Sequence, residues 1–263
     1  MPAPELPKPP ASAAVPPAGL AQPPQGAQSA PRPRHAHLVG LLTFTSGCVD
    51  VVTLMVIGGT FTSVITGNLI IVGRAIGTSA LTPAVHVIVS VAGYAAGVAA
   101  GARLRQRFAR RSPPAPWPRS ATLVLAAEWV VLVAVNITWI GYDGAPSAAA
   151  TDLILAAAAI ALGMQGVAAR AISGNPSTTY MTGALTALVE ALSTGGRRTT
   201  DSSAVVGLLA LVAGAASSAV LVVHARLAAL LPPLATLAVV VVIKLRQHRA
   251  ERQAPTVPAS PAR

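Results

Sequence analysis

Charge is scarce in this chain. Only 10% of its 263 residues are Asp, Glu, Lys or Arg, against about 25% in an ordinary soluble domain. A surface this poor in charge cannot be wetted all round, which excludes a soluble fold. A single cysteine, Cys48, excludes an intrachain disulfide and a cysteine metal cluster, and reads as a small apolar residue. The chain has no phosphate-binding loop, no HExxH, no paired nucleophile and base and no cluster of metal ligands. We therefore expect neither an enzyme nor a cofactor. The start of the sequence lacks a short basic stretch leading into an early apolar core, so no signal peptide is read there and the first true span is expected to direct insertion.

What the chain does have is long apolar blocks. Hydrophobic residues make up 53% of the sequence and the mean hydropathy is +0.62. Eight blocks can be drawn, near 38–58, 64–78, 83–104, 121–141, 152–172, 178–193, 203–224 and 227–245. Six approach the roughly 20 residues that cross a bilayer as helix. The second and sixth, at 64–78 and 178–193, are too short to do so comfortably. Residues 1–36 and 246–263 are rich in Pro, Ala or basic residues and are expected to be disordered cytoplasmic tails around a membrane domain at 37–245.

The net charge of +11 sits mostly in the tails and one connecting loop, leaving the apolar blocks nearly bare. That distribution is topological and argues against nucleic acid. Arg32 and Arg34 precede the first block, Arg103, Arg105, Arg107, Arg110, Arg111 and Arg119 follow the third, and Lys244, Arg246, Arg249 and Arg252 close the last. All three clusters fall in the cytoplasm, with both termini, if the two short segments are re-entrant and six helices span. The 142–151 loop, with Asp143 and no cation, then lies outside, and Arg226 is the exception. The expected product is an all-α protein, multi-pass in the plasma or inner membrane.

An internal repeat accompanies this pattern. Thr66-Gly67 recurs as Thr182-Gly183, 116 residues later (182 − 66), and at the same offset Gly47 meets Gly163, Gly58 meets Gly174 and Thr62 meets Thr178. Gly93, Gly97 and Gly101 share a helical face that Ala210, Gly214 and Ser218 echo after a one-residue shift. Each half, about 38–141 and 152–245, then holds three spans and one short broken segment. Three is odd, so the halves insert with opposite orientation, as in the inverted repeats of many secondary transporters.

Candidate site residues follow from that plan. Glycines at 58, 59 and 67 break the helix. Irregular backbone at membrane depth is tolerated only against protein or water, and the start of a short helix offers free N–H groups to a ligand. Thr66, Gly67 and Asn68, with Thr178, Thr182 and Gly183 in the second half, are expected either to line a solute site or to cap these helices. Asp50, deep in the first span, is expected to bind a cation, carry a proton, or pair with Arg170 or Arg74. Arg74 and Glu190 occupy equivalent repeat positions and form a possible charge pair. Gln165 and Arg170 are expected on the same solute or ion pathway. Gln165 and Asn136 can also donate interhelical hydrogen bonds, Glu128 is a weaker carboxylate candidate, and His86 reads as packed or interfacial. The Gly93, Gly97 and Gly101 face offers an oligomer contact.

These residues resemble the YoaK-type family of bacterial inner-membrane proteins, known as a domain of unknown function. The likeness rests on Ser46-Gly47-x-Val49-Asp50, on Phe61-x5-Gly67-Asn68 with Thr66, and on Leu162-Gly163-Met164-Gln165 followed by Arg170 and Thr178-Thr179-x2-Thr182-Gly183. It covers roughly residues 38–245. Members typically carry Asn where this chain has Gly166. The resemblance implies a multi-span bacterial membrane protein and no particular substrate. The residues themselves lead to the expectation of a secondary transporter or permease of a small solute, with a proton or cation as the coupling ion. The alternative is a membrane interaction or scaffold protein whose glycine faces serve packing alone.

Overall fold

The computed structural model describes residues 33–109, 116–173, 181–193 and 202–253, and among them every regular element is helical. Eight α-helices follow in order: α1 Pro33–Val56, α2 Ile65–Gly77, α3 Leu81–Ala109, α4 Arg119–Gly141, α5 Ala148–Ser173, α6 Met181–Ser193, α7 Ser202–His224 and α8 Leu231–Gln253. Six of them (α1, α3, α4, α5, α7 and α8) are long and apolar enough to cross a bilayer. The two short helices, at 13 residues each, extend only about 20 Å. The expected division into six long and two short helices is met. Residues 33–36 and 246–253, expected outside the membrane domain, are helical, since α1 begins at Pro33 and α8 continues to Gln253. The Lys, Arg, Gln, Glu and Ala residues that close α8 are good helix formers, and Arg119 of α4 donates to the His248 carbonyl at 2.9 Å.

Contacts between helices fix their directions. Gly40 and Gly47 of α1 face Val206 and then Leu211 and Ala215 of α7, so these two run parallel. Gly93, Gly97 and Gly101 of α3 face Ala156, Ile160 and Met164 of α5, also parallel. By contrast α4 and α8 are antiparallel. Arg119 meets His248, the Trp129 indole donates to the Leu234 carbonyl at 3.0 Å, and the Trp139 indole to that of Arg226 at 3.1 Å. Short connections make α4–α5 and α7–α8 antiparallel hairpins. Helices α1, α4 and α7 therefore point one way and α3, α5 and α8 the other. It follows that the chain leaves α1 and enters α3 at the same end of the bundle, so α2 does not cross. The same holds for α6 between α5 and α7, at the opposite end.

The crossings owe their closeness to glycine, since a Cβ on Gly47, Gly97, Gly163 or Gly214 would collide with a carbonyl of the facing helix. Such small-residue contacts replace the hydrophobic drive that is missing between helices in lipid. This corrects the oligomer expectation. Gly93, Gly97 and Gly101 are buried against α5 within the chain, so that face is not free to meet a second copy. The outward surface is apolar instead, with Ile70, Ile88, Val130, Ile137, Leu209, Val212 and Val223 all exposed, as a bilayer-facing belt requires.

Arg103, Arg105 and Arg107 end α3 at the same side of the bundle as Lys244, Arg246 and Arg249 of α8. With Cys48 replaced by serine, a cysteine at position 116 is expected to react with a thiol reagent only from the cytoplasm, and one at 147 only from outside. Impermeant labelling of intact cells reads this directly, and labelling of 116 from outside would reverse the assignment.

Candidate functional site

The chain between α1 and α2 turns back into the bundle. Gly58 and Gly59 take left-handed backbone angles, φ 85° and 68°, a conformation that glycine adopts without strain. They reverse the chain directly after α1. The following stretch then descends beside α1 and α3. Asp50 lies six residues before the end of α1, or about 9 Å down its axis, and its Oδ1 accepts from the Thr62 amide at 2.7 Å, the Thr62 hydroxyl at 2.7 Å and the Ser63 amide at 2.9 Å. The Ser63 hydroxyl donates to Oδ2 at 2.5 Å. Four donors from two consecutive residues converge on one carboxylate.

A second clamp holds the other side of the loop. Asn68, in the first turn of α2, accepts from the Phe61 amide at 2.9 Å and donates to the Phe61 carbonyl at 2.7 Å. Ser90 of α3 donates to that same carbonyl at 2.6 Å. Ser90 is nine residues along α3, so Phe61 sits about 14 Å below the start of that helix. A Cβ on Gly67 would lie 3.0 Å from the Phe61 ring, so glycine there lets the ring fold onto α2. Nearer the surface, His86 Nδ1 is 2.8 Å from the Gly58 carbonyl and its Nε2 is 3.5 Å from Asp152 of α5. Helix α2 thus starts inside the bundle and climbs back to its surface: a re-entrant hairpin.

The sequence reading gave these residues two alternatives, ligand lining or helix capping, and the geometry separates them one by one. Helix α2 has Val64 as its N-cap and no side-chain cap, so neither Thr66 nor Asn68 caps it. Asn68 is fully buried and spends both ends of its amide on Phe61, while Thr66 is exposed and Gly67 half-buried. Asp50 is held by Thr62 and Ser63 and pairs with neither Arg170, which is exposed on α5, nor Arg74, which is exposed on α2. Thr182 is exposed and Gly183 half-buried on α6, and Glu190 is exposed on the same helix. Thr178 lies outside the described residues. Arg74 lies on α2 and Glu190 on α6, both exposed.

Gln165 ties the two halves together. It is fully buried on α5 and its Nε2 donates to the Leu42 carbonyl at 2.8 Å and the Ser46 hydroxyl at 2.7 Å, both on α1. Next to it, Gly166 leaves room for Tyr94, whose Oη lies 2.9 Å from where a Cβ would stand. Position 166, 116 residues after Asp50, is a glycine and supplies no carboxylate.

Thr62, Ser63 and Ser90 did not stand out in the sequence as site residues. The signal was present in the paired hydroxyls of Thr62-Ser63, three residues past Gly59, but nothing local shows that they reach back to Asp50.

The family model described as "Protein of unknown function (DUF1275)" matches residues 38–243. The chain belongs to this family. The DUF1275 match spans α2 to α7 with the whole re-entrant hairpin, most of α1 and the first part of α8. Among curated proteins the chain is similar to the "UPF0700 transmembrane protein YoaK" of Bacillus subtilis (strain 168). It is 27% identical over 157 residues, which is 59% of this chain and 66% of that protein, just under two thirds of the relative's length. No solved structure matches the chain. Membership and the six apolar helices together make it a multi-pass membrane protein.

Proposed function

We propose that this DUF1275 protein is a secondary transporter or permease of a small solute, coupled to a proton or cation, with both termini in the cytoplasm. The observation that carries this reading is the re-entrant hairpin. A short helix beginning at membrane depth, with no side chain capping its first amides, places hydrogen-bond donors where a lipid-facing structure has none. A protein serving only to pack against others has no use for buried irregular backbone held by six side-chain hydrogen bonds from Asp50 and Asn68.

The halves are read as inverted repeats, and the glycine contacts support this position by position. Gly47 abuts the Leu211 carbonyl and the Ala215 amide, while Gly163 abuts the Tyr94 carbonyl and the Val98 amide. Gly214 abuts the Phe44 carbonyl, while Gly97 abuts that of Ile160. Adding 116 to each α1 position, or 117 to each α3 position, converts one set into the other. Helices α1 and α5 point in opposite directions, as inverted halves require. Each half thus packs its first helix on the third helix of the other, an arrangement in which the halves can rock about the centre.

Within this reading Asp50 and Asn68 hold the hairpin in shape, and the solute meets the loop they position. Gly183 and Thr182 mark the corresponding segment of the second half. The test is a thermal-shift screen of the purified protein against small metabolites and ions. A ligand of the folded state adds about 2.7 kcal/mol at a hundred times its dissociation constant. We expect a hit whose shift is lost in Asn68→Ala, a variant expected to fold with a lower melting temperature. A broad library that leaves the protein unshifted would refute the solute site.

A further inference from the structure

We propose that Glu128 is a proton-binding site in the membrane core, and that its carboxyl group carries the coupling proton of the transport reading above, on which this second step rests. Glu128 is the tenth residue of α4, about 14 Å from the start of that helix and about 20 Å from its end. It is fully buried, and neither carboxylate oxygen has a hydrogen-bond partner among the described residues. Asp50 is the instructive contrast, a carboxylate in the same protein supplied with four donors.

Among the described residues no fixed cation pairs with it. Helix α4 packs against α3, α5 and α8. On α8, Lys244 lies at 3.0 Å from Gln247 and 4.2 Å from the centre of the Trp117 ring, near the opposite end of α4 from Trp139. On α3, His86 is engaged with Gly58 and Asp152, while Arg103, Arg105 and Arg107 occupy the last two turns. On α5, Asp152 stands near the start and Arg170 in the last turn. None of these forms an ion pair with Glu128 among the described residues. An unpaired buried carboxylate is neutralised rather than left charged, and the group that does this must be mobile.

Two further atoms of the same core favour a proton. Asn136, two turns along the same face of α4, and Gln165 on the adjoining α5 are buried, and each leaves its side-chain carbonyl oxygen without a donor. A carboxylate alone would add another acceptor to a core already short of donors. The protonated group supplies an O–H. The step is balanced by one proton, taken up by the carboxylate from one aqueous face and released to the other, with no electron transfer.

The test is the infrared C=O band of protonated carboxyl groups, recorded on the full-length protein in lipid nanodiscs at neutral pH. Glu128→Gln is expected to remove one such band that Asp50→Asn leaves in place. Glu128→Asp, which keeps the chemistry one methylene shorter, is expected to shift the band, and it carries the test if Glu128→Gln does not fold. A spectrum unchanged by both substitutions would overturn the proposal. So would a wild-type band present in choline buffer and abolished by sodium, which would make the site one for an alkali cation. The band is read without any solute. Its absence therefore refutes the proton site alone, whereas its presence with no transported solute refutes the transport reading alone.

Discussion

Replacing Gly97 by leucine is expected to prevent the membrane domain from folding, and even alanine there is expected to lower its melting temperature sharply. The obstacle is backbone, not a yielding side chain. A Cβ on Gly97 would run into the Ile160 carbonyl of α5, whose own carbonyl carbon and Cα lie 2.8 Å away. Overpacking a soft core costs about 1–3 kcal/mol, and here the neighbour cannot rotate aside, so whole helices must separate and surrender their close contact. Gly214→Leu is expected to do the same at the α1–α7 crossing, where the Phe44 carbonyl stands in the way. Gly73→Ala provides the control. Nothing lies within 4 Å of its added Cβ, and the intrinsic preference for Ala over Gly in a helix is about 1 kcal/mol, so this variant is expected to be as stable as the parent or more so. Thermal unfolding in detergent, followed by size-exclusion profile, separates the three outcomes. Equal stability of Gly97→Leu and Gly73→Ala would show that the α3–α5 packing is wrong.

Asp50→Ala is expected to release the re-entrant hairpin. The substitution strands the Thr62 and Ser63 amides and both hydroxyls, none of which can reach water at that depth. A buried donor left without an acceptor costs about 1–3 kcal/mol, and here four are left at once. Asp50→Asn retains one carbonyl acceptor and is expected to fall between the parent and Asp50→Ala in melting temperature. The local effect is the more telling one. A cysteine placed at Thr60, which is fully buried in the parent, is expected to be silent to a water-soluble maleimide there and to react at least tenfold faster in Asp50→Ala. No change in reactivity would mean that Asp50 does not hold the loop.

Much of the fold was legible because the bilayer imposes length. Runs such as 203–224 and 121–141 announce themselves as spans by composition alone, and the blocks that hold the 13-residue α2 and α6 announce themselves by being too short to span. The glycine spacing at 93, 97 and 101 also pointed correctly to a close helix contact. It could not say with which helix, since a small-residue face fits a helix of the same chain as well as one of a second copy. The site was legible in part. Asp50 of α1 and Asn68 of α2 both hold the loop between those helices, but Thr66 faces outward, because a residue's side around a helix start depends on how the preceding loop enters. The partners Thr62, Ser63 and Ser90 come from a chain reversal and from another helix, and no periodicity records such meetings. Glu128 read as the weaker carboxylate candidate. Its isolation depends on what α3, α5 and α8 fail to offer it, which one helix's sequence does not contain.

Transport itself is tested most directly in proteoliposomes that hold the full-length protein and a pH-sensitive dye, with small metabolites offered one at a time across an imposed proton gradient. The account predicts that at least one solute accelerates proton movement in wild-type vesicles, and that Glu128→Gln, folded and inserted to the same extent, abolishes this acceleration. If no solute moves, or draws protons with it, through a protein shown to be folded and inserted, the transporter reading is contradicted.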